Sequence, residues 1–132
     1  MAKGRRDYTW GVLQDSIQPG LYSVDFIKVD QVYLTSIETG SALSYTVPEG
    51  YKLFLLGVYV TTGSFAVNHC RVKRNDAYLS FLAFEVNHEL NFGTYGSVSY
   101  EPGKILTVEV TNKDDRSFWF YCTVLGVLEE LV

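Results

Sequence analysis

The stretch YEPGKILTVEVTN, Tyr100 to Asn112, decides how this chain is read. Proline at Pro102 fixes φ at the value the second turn position needs, and Gly103 supplies the positive φ of the third position in a type II turn. Beyond that turn, Leu106, Val108 and Val110 share one face and Ile105, Thr107 and Glu109 the other, which is the period of a half-buried strand. An earlier stretch, YTVPEGYKLFLLGVYVTT from Tyr45 to Thr62, follows the same plan, with VPEG fitting a type I turn that has glycine last. QPGL around Pro19 fits type II. Each of the chain's 3 prolines therefore has a glycine one or two residues later and an apolar run beyond it, so turn chemistry marks the strand entrances.

Working outward, strands are expected at Leu21 to Val29, Gln31 to Ile37, Lys52 to Thr61, Phe65 to Lys73, Tyr78 to Val86, Gly96 to Tyr100, and in the two C-terminal runs. In SFWFYCTVLGVL, residues Phe118, Phe120, Cys122 and Val124 alternate with Trp119, Tyr121, Thr123 and Leu125, so both faces are largely apolar and the strand reads as central. ETGS, TTGS, KRNDA, NHELNFGTYG and NKDDRS have turn composition. The one weak helical pattern is TWGVLQDSI near the start. About eight short strands with turns between them indicate an all-β sandwich or barrel, and the number suits a single-domain jelly roll. The division expected is an N-terminal arm over residues 1–15 and a sandwich over 16–132.

With 132 residues the chain is long enough to bury roughly two thirds of its unfolded surface without metal or disulfide. It is 47% hydrophobic and only 20% charged, which is apolar enough to expect a partner-facing surface. The net charge of -4 disfavours nucleic acid as partner. No secretory leader and no membrane-length apolar run is readable, so a soluble chain made in a cytoplasm is expected. Cys70 and Cys122 are expected as buried strand thiols, with a bridge as the alternative. Basic residues cluster in RVKR and in the first residues, where Lys3, Arg5 and Arg6 precede Tyr8 and Trp10. That segment reads as a solvated tail or as an arm docking on a neighbouring subunit.

The combination of VPEGYKLFLLGVYV, YEPGKILTVEVTN and a final aromatic strand ending GVLEE resembles the small single-jelly-roll structural proteins of viruses and tailed phages. The resemblance covers roughly Tyr45 to Glu130 and rests on turn chemistry. It implies a virion component, a minor capsid, cement or spike subunit, whose partners are copies of itself or other capsid proteins.

Catalytic groups are sparse. His69 falls inside a strand and reads as structural, while His88 near Glu85 and Glu89 reads as a solvated loop rather than a metal or carboxylate site. Phosphate-binding glycine motifs are absent from the sequence, and no enzymatic activity, cofactor or metal is expected. The rival to assembly is carbohydrate recognition by flat aromatic rings beside polar groups, for which Tyr78, Phe92 and Tyr95 are the candidates.

Overall fold

The computed structural model describes residues 25–79, 84–87, 89–91 and 98–131. Among them are ten strands and no helix: β1 (Phe26–Leu34), β2 (Thr39–Thr46), β3 (Tyr51–Thr62), β4 (His69–Arg74), β5 (Ala77–Tyr78), β6 (Phe84–Glu85), β7 (Glu89–Asn91), β8 (Ser99–Tyr100), β9 (Ile105–Thr111) and β10 (Phe118–Glu130). They form two antiparallel sheets. In the first the order is β1-β10-β3-β7, with β8 also pairing β3. In the second it is β2-β9-β4-β5, with β6 also pairing β4.

The core lies between the sheets and follows from period-two alternation. Leu106, Val108 and Val110 of β9 meet Phe120, Cys122 and Val124 of β10 and Leu53, Leu55, Val58 and Val60 of β3, all buried. β10 lies between β1 and β3, as its two apolar faces suggest. Strands β3 and β10 slip register where Leu125 pairs Gly57 and Gly126 pairs Leu55, which leaves Leu56 as the extra residue of a bulge. Gly126 is small for a reason: a Cβ there would sit 2.6 Å from the Phe54 carbonyl oxygen.

The two proline-glycine turns meet at one end of the molecule. Gly103 has φ 83°, and Lys104 N donates to Glu101 O at 3.0 Å, closing the type II turn. The other turn is shifted by one residue from the sequence reading. It runs Pro48 to Tyr51, with Tyr51 N donating to Pro48 O and Gly50 in the third position at φ 86°. Val47 N donates to Lys104 O and Gly103 N to Val47 O, so each turn braces the other. Gly103→Val is expected to cost about 1 to 3 kcal/mol, since a β-branched residue strains at that φ. An unchanged thermal melt would overturn the turn assignment.

Other readings shift. The two strands expected across Leu21 to Ile37 are one strand, β1, because Asp30 and Gln31 pair Cys122 and Tyr121 without a break. Lys28 and Asp30 occupy inward-parity positions of this edge strand, and such charges discourage pairing with another strand edge. TGSALSYT, with its turn-like start, is strand β2 along β9. Part of NHELNFGTYG is strand β7, paired to β3 through Gly57 to Tyr59. Phe65 to Asn68 is irregular chain rather than strand, and β4 begins at His69. The Gln18 to Leu21 turn, the weak helical pattern and the residue 15/16 boundary lie outside the described residues.

Both cysteines are free and buried. Burial holds the Cys70 thiol well above its usual range and pushes Cys122 up to about 12, so both stay protonated core groups.

Candidate functional site

Three exposed surfaces carry functional potential. The first is the outer face of the β1-β10-β3 sheet. Its register aligns Ile27 with Leu125 and Gly57, Val29 with Thr123 and Tyr59, Gln31 with Tyr121 and Thr61, and Tyr33 with Trp119. None of these positions is charged. Val29 is 64% exposed, and Ile27, Tyr33, Tyr59, Trp119 and Tyr121 are exposed as well. The Tyr33 and Trp119 rings are 5.3 Å apart and tilted, a cross-strand pair that stiffens one end of the face. Four ranks two residues apart span about 20 Å along the strands and three strands about 10 Å across, so the patch projects to at least ~200 Å². Aromatic and branched side chains without charge among them have the composition of the centre of a protein contact.

The second is a groove of about 530 Å³ on the outside of the other sheet. The ladder β2-β9-β4 places Thr39, Thr111 and His69 in one rank and Arg71 beside Glu109 in the next. Thr39 and Thr111 share a hydroxyl hydrogen bond of 2.9 Å. Tyr78, reached by the tight β4-β5 hairpin, forms one wall with Arg71, and Lys113 lies at the far end. The Tyr78 hydroxyl donates to Glu109 Oε1 at 2.7 Å, and this bond raises its pKa above that of a free phenol. Arg71 Cζ lies 4.9 Å and Lys73 Nζ 5.2 Å from the Tyr78 ring centroid, both within cation–π range. Lys73 Nζ also stands 3.9 Å from Glu109 Oε2.

The third is an apolar tip at the end opposite the proline-glycine turns. Phe65 is 95% exposed, with Ile37 and Val67 also exposed. Asn112 and Asp114 tie their loops together. Asn112 Nδ2 donates to the carbonyls of Leu34, Thr35 and Arg116, while its Oδ1 accepts from Asp114 N. Ser64 Oγ donates to Asp114 Oδ2 at 2.7 Å, the main reason that carboxyl is held below its usual range. Ser36 Oγ donates to the Asp114 carbonyl. Ile37 is held at φ 60°, unusual for a β-branched side chain.

Of the residues singled out from sequence, Tyr78 lies in the groove. Lys3, Arg5, Arg6, Tyr8 and Trp10, with Phe92, Tyr95 and His88, lie outside the described residues. His69 lies in a strand as expected, at the start of β4, and is exposed at the groove. Sequence reading missed Arg71, Glu109, Thr39, Thr111 and Lys113 as a set. Their only advance signals were the basic RVKR run and the outward parity of Glu109. Among the described residues, no group of three or more His, Cys, Asp and Glu side chains is arranged to hold a metal ion. The chain matched no protein-family model, no curated protein and no solved structure.

Proposed function

We propose that this chain is a jelly-roll subunit of a virion, a minor capsid, cement or spike component that works through protein–protein contacts. The uncharged outer face formed by β1, β10 and β3 carries the reading, because exposed aromatic and β-branched side chains without interspersed charge gain by burial against another protein. The strand order supports the fold. Numbered along the chain, one sheet joins the first, last and third long strands, and the other joins the second, penultimate and fourth. Winding a long antiparallel hairpin into two sheets produces that alternation. A standard interface takes about 800 Å² from each partner. The patch therefore supplies the apolar centre, with polar surface around it as rim.

Val29→Glu puts a charge in that centre. The expected outcome is a folded protein with an unchanged melting temperature and self-association or particle incorporation reduced at least about tenfold, since burying an unpaired carboxylate costs more than 1.4 kcal/mol. Sedimentation across a concentration series and incorporation into particles check this. Normal incorporation of the variant would remove the face from the interface.

A second reading, carbohydrate recognition, is favoured by the groove, where an aromatic ring stands beside hydroxyl, carboxylate and cationic groups.

A further inference from the structure

The groove outside the second sheet holds chemistry that assembly through the first sheet does not use. We propose that it binds an acidic saccharide, a sugar bearing carboxylate or sulfate groups, with Arg71 and Lys113 meeting the anion and Tyr78 walling the ring. This rests on the saccharide reading and adds to it the sign of the ligand's charge.

The charge distribution is the first support. The chain as a whole is acidic, at -4, yet this groove gathers Arg71 and Lys113, with Lys73 at its wall. Glu109 is already engaged by the Tyr78 hydroxyl at 2.7 Å and faces Lys73 at 3.9 Å. Glu85 lies opposite His69 in the β4-β6 pairing. Arg71 and Lys113 form no ion pair among the described residues, so the local surplus of positive charge rests on them. An arginine set against an aromatic ring keeps its fork of N–H donors for a carboxylate or sulfate, whose oxygens it can bind in pairs.

The second support is the match to sugar rather than to a nucleic acid strand. Strand binding without sequence preference uses a row of rings on which successive bases stack, and among the described residues this groove has one. It offers instead the Thr39–Thr111 hydroxyl pair and the Glu109 carboxylate, groups that exchange hydrogen bonds with sugar hydroxyls. At about 530 Å³ it has the size of a small-ligand site.

Calorimetric titration of the full chain with four probes tests this: a sulfated heparin tetrasaccharide, a tetragalacturonate, neutral maltotetraose and a thymidylate tetramer. At least one acidic sugar is expected to bind about tenfold or more tighter than maltotetraose. Arg71→Gln and Lys113→Gln should each weaken it about tenfold, as loss of a charged hydrogen bond does, with circular dichroism and melting temperature unchanged. Tyr78→Ala should weaken it as well. Equal binding of maltotetraose, or acidic-sugar binding that both charge variants retain, would overturn the charge assignment and leave saccharide recognition standing. Binding of none of the sugars would overturn both. Tighter binding of the thymidylate tetramer would replace sugar with nucleic acid as the occupant.

Discussion

Replacing Phe120 by alanine is expected to cost about 3 to 5 kcal/mol, the range for truncating a buried aromatic side chain. Phe120 is fully buried on the inner face of β10, between Val32 of β1 and Thr62 of β3 in the ladder. The cavity would open in the middle strand of the sheet, where neighbours on both sides are held by their own ladders and collapse poorly. Against a typical domain stability of about 5 to 15 kcal/mol, much of the folded population would be lost at physiological temperature. Urea denaturation gives the measurement, with a lower midpoint and an unchanged slope expected. Tyr121→Ala, one residue along on the solvent face, should lose far less. If the two variants melt alike, the faces of β10 have been assigned the wrong way round.

Asn112→Ala is expected to cost about 2 to 5 kcal/mol through a different mechanism. The fully buried amide supplies the carbonyls of Leu34, Thr35 and Arg116 and receives Asp114 N, so it joins the β1-β2 and β9-β10 connections at one point. Truncation leaves these groups short of partners, and each unsatisfied buried group costs about 1 to 3 kcal/mol. Thermal melting should fall, and amide exchange should quicken at Asp114, whose backbone N–H donates to the Asn112 side chain. A melt equal to wild type would mean that water replaces the amide at no cost.

The strands that were legible in the sequence are those whose burial is decided by their own alternation. β9 and β10 announce themselves through Leu106, Val108, Val110, Phe120, Cys122 and Val124, and Pro102-Gly103 marks the turn before β9. β2 was not legible because Thr39, Gly40 and Ser41 carry turn composition; what makes them strand is the ladder offered by β9. β1 was split because Asp30 and Gln31 interrupt its apolar run, and a polar side chain is tolerated there only because the strand lies at an edge. The groove depended still more on pairing. Arg71 and Glu109 are 38 positions apart in sequence and become neighbours through one register, which no local pattern specifies. The same holds for the uncharged outer face: Trp119 and Tyr121 were visible as apolar, but only pairing with Tyr33 and Gln31 turns them into a continuous surface.

The central place of β10 has a consequence for biosynthesis. It follows the other nine strands along the chain, yet β1 joins the sheet, and is linked to β3, only through it. On the ribosome, β1 and β3 therefore emerge with no common partner, each carrying an apolar inner row, and the β2-β9-β4 sheet can close before the sheet opposite it exists. Closing β1 onto β10 spans most of the described chain, a non-local step that belongs to slow folding. Until it occurs the nascent polypeptide presents open strand edges to its surroundings, the condition under which chaperone capture and misassociation compete with the native pairing.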